Sequence, residues 1–528
     1  MKQMKLTLSL FFMIALVQSS YSQAYDIKWG DITSRQGKLI YLLPNKKNDF
    51  FALRWVGGRV IGNYQVSRHQ DLTITQKGRI KLVAEKSMAN FEGAKVIGNK
   101  FVVFLSDRQV GFNHFYMQEY DEELKPIGEA VKIASYSVDR TRKKGWFNIK
   151  QSSNQKFFGV VWEVPGRKGE RDLYGFKVYN EQLEIINEGE YPLPFDPKLS
   201  TIHSHHISNK GDYFMAVTEY EEGNNARLFK NHLTYKSLHI FHINDDGLDD
   251  YQLDLGGKRV EAMSMFSDDN DLFTVTGIYG DQRVAGVKGV FFQRINLTTL
   301  EKQEEGFKEF EASFITEDWS DRDKRRSERQ MDRGRSAPQL YNYKMRDATI
   351  LKDGSIIGTM EQFYVQVSSN TDTRNGTVSQ SYYYYYNDII AFKIDSEGEF
   401  AWVTKVRKYQ VSTNDEGPFS SYASFIDKGK VHFIFNDHIR NYDASGQFID
   451  SDRLYTANYS RRKNVVALAE IDLETGERKQ ATFFDREEID AVAVPKLFEI
   501  NYTTGEMLLY AIWGRKEKVG VLRMGDEK

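Results

Sequence analysis

Carboxylates, arginines and tyrosines near the predicted ends of β-strands are the side chains of this chain best suited to chemistry: Asp107, Arg108, Glu163, Arg167, Arg171, Tyr220, Glu221 and Tyr279. Two carboxyl groups about 5 to 9 Å apart would serve as general acid and base on a glycosidic bond. Arginine and tyrosine beside them would hold a sugar or a peptide. Linear spacing does not say which of these groups converge. A second set is the run Tyr382 to Tyr386, which follows an Asn375-Gly376 reversal, so that Gln362 to Gln366 and Ser381 to Tyr386 pair as a protruding hairpin. Strand alternation places Tyr382, Tyr384 and Tyr386 on one side and Tyr383 and Tyr385 on the other. Rigid rings with polar tips suit sugars and peptides; the plainer alternative is a hairpin packed on neighbouring loops.

Three further groupings carry less chemistry. Ser320 to Gly334 has a helix signature, with Ser320 as N-cap, Asp323 at the capping-box position and Gly334 as stop. Its arginines (Arg322, Arg325, Arg326, Arg329, Arg333 and Arg335) suit phosphate or carboxylate, but interspersed Asp321, Asp323, Glu328 and Asp332 make it a solvated charged segment. His203 and His205 share a strand face without a local carboxylate to complete a metal site. HINDDGLDD departs from a calcium loop where His242 stands in place of the first Asp and Leu253 in place of the closing Glu. No catalytic residue, cofactor-binding set or metal ligand set is therefore assigned, and no nucleophile elbow occurs.

The elements that must position these residues recur along the chain. Asn387 to Gln410 reads as two strands around a tight turn, and similar pairs start at His114, Leu173, Leu238, Val290 and Val465. Repetition at intervals of roughly 50 to 70 residues predicts a radial array. Four-stranded units are expected from Gly37, then at Phe91–Ile133, Trp146–Leu193, Thr201–Leu255, Val260–Phe310, Met345–Gln410 and Phe419–Phe484. An eighth unit from Ala491 has three strands, and Tyr25 to Ile32 is expected to supply the fourth. The fold class is all-β: a single β-propeller of eight blades, with seven as the alternative, closed by the N-terminal strand. It occupies residues 23–528, with a charged insertion at 311–343 and a hairpin insertion at 362–388. Turns joining strands one and two, and three and four, are short; the long loops all emerge on the opposite face, where binding is expected.

Two segments resemble the blade repeats of pyrroloquinoline-quinone dehydrogenases, eight-bladed propellers with an Ala-x-Asp-x-x-x-Gly-x-x-x-Trp motif. AEIDLETGERKQ carries Asp472, Thr475 and Gly476 in the right spacing, with Ala469 one place early and Gln480 in place of the Trp. AFKIDSEGEFAW carries Trp402, with a turn one residue short between Asp395 and Gly398. The resemblance covers two turns; it implies a propeller and transfers no cofactor residue.

Composition narrows the class. The 528 residues are 40% hydrophobic and 14% aromatic, ample for a packed core. A formal net charge of -2 provides no global field for nucleic acid. Met1 to Ser22 reads as a secretory signal with Lys2 and Lys5, the apolar run Leu6 to Val17, and Ser20-Tyr21-Ser22. Twelve apolar residues span only about 18 Å of a roughly 30 Å bilayer core, so no membrane anchor is expected. The absence of cysteine excludes disulfides and thiolate chemistry. The expectation is a periplasmic protein, or alternatively an extracellular or surface-associated one, that binds an envelope protein, peptide or glycan without catalysis. The alternative is a glycan-active or polymer-active enzyme with carboxylates at the mouth of the central channel.

Overall fold

β-Branched and aromatic residues alternate with polar ones along most of the chain, and this pattern resolves into antiparallel sheets. The computed structural model describes residues 25–525 except 59–61, 110, 138–144, 167–169, 223–232, 245–246, 269–271, 282–285, 297–298, 300, 334–337, 372–377, 458, 461 and 486–489. Met1 to Ser22, Arg167, Gly334, Arg335 and the Asn375-Gly376 reversal lie outside the described residues.

The fold is all-β. Seven sheets take their strands in sequence order within 38–79, 90–137, 146–192, 200–253, 258–309, 343–413 and 423–485. The eighth pairs Lys516–Arg523 with Glu506–Trp513 on one side and with the N-terminal strand Asp26–Trp29 on the other, Asp26 lying opposite Arg523. Tight turns depend on local chemistry: Gly398 adopts φ 85°, and the Asp395 carboxylate accepts from the amides of Glu397 and Glu399 at 3.0 and 2.8 Å.

Each sheet is too thin to bury its own apolar faces, so the core is divided among inter-sheet clusters. Phe51 and Leu53 of the first sheet meet Phe101 and Val103 of the second. Phe104 and Phe115 meet Phe158 and Trp162 of the third. The succession continues through sheets three and four, four and five, five and six, six and seven, and seven and eight. A last cluster joins Leu508, Tyr510 and Val521 of the eighth sheet to Leu39, Leu42 and Phe50 of the first. Strand glycines seat aromatic rings: a Cβ on Gly358 would lie 2.1 Å from Phe392. The segments around Trp402 and Gly476 meet across sheets six and seven, where the Trp402 indole packs on Gly476 and donates Nε1–H to the Leu473 carbonyl at 3.1 Å.

Two features bear on function. The predicted hairpin is longer than expected: Ile356–Thr371 and Val378–Ile394 continue the second and third strands of the sixth sheet, with Phe363 opposite Tyr386 and Val365 opposite Tyr384. The charged insertion contains the helix Asp321–Met331, which buries no residue and is capped by Ser320 accepting from the Asp323 amide at 3.3 Å. Before it, Ala312–Ile315 forms a single turn whose Ile315, with neighbouring Phe314 and Trp319, packs between sheets five and six. Among the described residues, no helix is long and apolar enough to cross a membrane.

Candidate functional site

Glu361 occupies the end of the sheet-bound part of its strand, where a bulge between Glu361 and Phe363 resets the register before the hairpin projects. Its side chain has no exposed surface. A carboxylate in such a place persists only with charged partners. Lys408 Nζ donates to Oε1 at 2.8 Å, while Arg346 Nε and Ser421 Oγ donate to Oε2 at 2.9 and 2.8 Å. Lys408 Nζ also donates to the Tyr386 carbonyl at 2.9 Å and to Gln410 Oε1 at 3.2 Å. Burial alone would raise the Glu361 carboxyl, but Lys408 and Arg346 outweigh it and hold the group below the usual carboxylate range. For Lys408 the balance runs the other way: burial outweighs the pull of Glu361, and the ammonium is held below the ordinary lysine range.

Lys408 also lines a cavity of about 900 Å³. Four segments build its walls: Asp318 from the insertion, Asn387 and Asp388 from the sixth sheet, Arg407 to Tyr409 after that sheet's fourth strand, and Ser451 to Thr456 from the long loop of the seventh. Polar contacts fix each wall. Lys405 Nζ donates to Asp318 Oδ1 at 3.1 Å and to the Phe314 carbonyl at 3.0 Å. Arg407 Nη1 donates to the Ser451 carbonyl at 2.5 Å and to Asp450 Oδ1 at 3.1 Å. Asn441 holds Tyr455 from both sides, Nδ2 donating to its carbonyl at 2.9 Å and Oδ1 accepting from its amide at 2.8 Å. Asn441 is in turn held by the buried Asp437, which also accepts from the Tyr442 hydroxyl at 2.9 Å.

Two carboxyl groups here differ from solvent-exposed ones. Burial, followed by the neighbouring charge of Asp318, pushes Asp388 up to about 6, although it accepts from the Lys408 amide at 2.9 Å. Burial likewise pushes Asp437 up to about 6. The cavity therefore presents a carboxyl that changes protonation near pH 6 beside a second carboxylate, with Arg407 and Lys408 in the same wall. Such a set can accept hydrogen bonds from hydroxyls and amides and donate from Asp388 when protonated, while Arg407 and Lys408 are already engaged by Asp450, the Ser451 carbonyl and Glu361.

The residues singled out from sequence do not gather here. Arg108 is exposed on sheet two, Arg171 is exposed in the connection before the third strand of sheet three, and Glu221 is exposed on sheet four. Tyr220 is half-buried beside Tyr235. Asp107 is buried within the second sheet. Glu163 lines a separate cavity between sheets three and four. Tyr279 requires correction: at 2% exposure its ring belongs to the core between sheets four and five, because strand alternation turns it inward at the strand end. Tyr382 is exposed and Tyr384 half-buried, whereas Tyr386 is buried, with Lys496 Nζ donating to its hydroxyl at 2.8 Å. His205 and His206 are hydrogen-bonded to the hydroxyls of Tyr213 and Ser267, at 2.7 and 3.0 Å. Sequence reasoning missed Asp318, Glu361, Asp388, Arg407 and Lys408. The available signal was a charge inside an otherwise apolar strand, as with Glu361 in IIGTMEQF, and the basic run KVRK ending at Lys408.

No protein-family model matches the chain, and no curated protein sequence matches it. Among solved structures it is similar to a protein of unknown function from Bacteroides caccae, at 13% identity over 67% of this chain and 93% of that one, with a TM-score of 0.26. It is also similar to Sqt1 of Chaetomium thermophilum, at 9% identity over 93% and 96% of the two chains, with a TM-score of 0.38. A third is the alpha-L-arabinanase of Penicillium chrysogenum complexed with arabinobiose, at 9% identity over 67% and 98%, with a TM-score of 0.30. At these identities and scores the likenesses assign neither a family nor a site residue.

Proposed function

We propose that this chain is an exported, periplasmic eight-bladed β-propeller that binds a polar ligand, an envelope glycan or peptide, in the cavity between its sixth and seventh blades. The blade count is supported, among the described residues, by eight sheets of four or more strands and by eight inter-sheet clusters, the last linking the eighth sheet to the first. The observation that carries the binding role is the cavity itself. It opens among long loops, and its ionic walls are already tied to fixed partners, so a ligand meets a preformed surface. Tyr455, 49% exposed, and exposed Asp452 supply a ring and an acceptor at the rim.

The test is equilibrium binding of the mature protein to arrayed oligosaccharides and short peptides, followed by titration of the hits. Tyr455→Ala and Asp452→Ala are expected to weaken the selected ligand at least tenfold without changing the circular dichroism spectrum. Hits whose affinity is unchanged by both substitutions would place binding elsewhere. The raised carboxyl of Asp388 beside Asp318 supports a second reading, acid–base cleavage of a glycan. It is distinguished by release of new reducing ends, which Asp388→Asn would abolish.

A further inference from the structure

We propose that the cavity between the third and fourth sheets is a second binding site, taking a short acid-bearing sugar chain with Trp146 against a sugar ring and Lys150 on the acid group. This site is independent of the cavity near Lys408. It encloses about 470 Å³ and is bounded by the first strands of both sheets.

The sequence places its chemistry at regular intervals. Trp146, Asn148 and Lys150 occur at every second position of Trp146–Gln151 and therefore share one face. At about 3.3 Å per residue, Lys150 stands about 13 Å from Trp146, a span that accommodates a disaccharide or longer chain. On the facing strand a bulge between Ile202 and Ser204 breaks strict alternation, and His203, Ser204 and His205 all reach the cavity wall.

The two histidines of the wall are already hydrogen-bonded, and the His205 ring lies 5.1 Å from that of Trp146. His203 Nε2 is hydrogen-bonded to Thr218 Oγ1 at 2.7 Å, and His205 Nδ1 to the Tyr213 hydroxyl at 2.7 Å. Burial keeps both rings below their ordinary pKa and hence neutral. Glu163 stands opposite Trp146 in the strand register, and Asp172 is occupied by the Gly166 amide at 2.7 Å. Lys150 is half-buried, and its ammonium has neither a hydrogen-bond nor an ion-pair partner among the described residues. Burial and the neighbouring Lys95 both disfavour its charge. An amine held there without a counter-charge costs stability and returns none. A ligand acid supplies the missing partner. The half-exposed indole provides a flat apolar face for a sugar ring, and Asn148, Ser200 and Ser204 provide the amide and hydroxyls that read its hydroxyl groups.

Calorimetric titration of the mature protein with digalacturonate and with neutral galactobiose, at low salt and pH 7, tests the assignment. The acidic disaccharide is expected to bind at least tenfold more tightly. Lys150→Met should erase that preference while leaving the melting temperature unchanged or higher, Lys150→Arg should retain it, and Trp146→Ala should weaken both sugars. Tyr455→Ala, at the other cavity, should leave the preference intact. The inference is overturned by equal affinities, by absence of saturable binding of either sugar, by a preference that survives Lys150→Met or disappears in Tyr455→Ala, or by tetraglutamate displacing digalacturonate at lower concentration.

Discussion

Glu361→Gln tests whether the charges beneath the main cavity hold its floor together. The substitution keeps the volume and removes the charge, leaving Lys408 and Arg346 facing one another without a carboxylate. Both Glu361 and Lys408 are fully buried, and breaking such a pair from one side costs about 3 to 5 kcal/mol. Lys408→Met is milder. Glu361 keeps Arg346 and Ser421, and an ammonium disfavoured by burial is gone, so the loss is about 1 to 3 kcal/mol. At about 2.1 cal/mol/K per residue, a chain of 528 residues unfolds with an entropy of about 1.1 kcal/mol/K. The expected drops in melting midpoint are therefore about 3 to 5 °C for Glu361→Gln and about 1 to 3 °C for Lys408→Met. The double variant should melt close to Lys408→Met, a coupling of about 3 to 5 kcal/mol, equal to the whole cost of Glu361→Gln alone. Thermal circular dichroism at pH 7 on the four proteins measures all three. A shift under 1 °C for Glu361→Gln, or a double-variant shift equal to the sum of the singles, would refute the argument that the pair is mutually dependent.

Acid should act on two opposed sets of groups. His206 has a folded value of about 3, caused by burial and by Lys150, below its unfolded value of about 6.5. Its stabilising contribution is complete above pH 6.5 and is lost as the pH falls. Asp388, raised to about 6, works in reverse, and the fold gains stability as the pH falls from 6 toward 4. Melting midpoints at pH 7 and pH 5 should thus show His206→Gln reducing the acid loss and Asp388→Asn increasing it; shifts of the same sign would contradict these environments. Gly358→Ala should lower the midpoint, since its methyl would overlap Phe392 and overpacking costs about 1 to 3 kcal/mol; an unchanged midpoint would show that the ring moves aside freely. Deleting residues 25–34 bares the edge of Lys516–Arg523, and size-exclusion chromatography should then report self-association. A stable monomer would show that the N-terminal strand is dispensable.

Much of the fold was legible because it rests on local chemistry. Asp395 and Gly398 specify their turn by side-chain acceptance and positive φ, both of which depend on residues within the turn itself. The incomplete eighth unit indicated that Tyr25 to Ile32 belonged beside it, and Asp26–Trp29 pairs there. Tyr279 shows the limit of that logic. Alternation identifies two faces of a strand but not which neighbour covers each, and the ring read as loop-facing is in the core. The bulge at Ile202 and Ser204 defeats parity altogether and brings His203, Ser204 and His205 to one wall.

The main cavity was illegible for a different reason. Its walls come from four segments joined by contacts such as Lys405 to Asp318, Arg407 to Ser451 and Asn441 to Tyr455, none of them local in sequence. Each of these residues alone reads as an ordinary charge or amide near a strand end. What distinguishes Lys405, Arg407 and Asn441 is burial, which sequence spacing cannot report and which makes each polar group depend on partners. The insertion explains how that burial arises. Phe314, Ile315 and Trp319 pack between sheets five and six, which brings Asp318 to Lys405 and adds its charge to the burial that raises Asp388. The apolar residues of a segment that reads mainly as a charged loop thus set the electrostatics of the cavity. Their replacement, for example Ile315→Ala, should lower the Asp388 titration point toward the ordinary aspartate value as Asp318 moves away, even though Ile315 carries no charge.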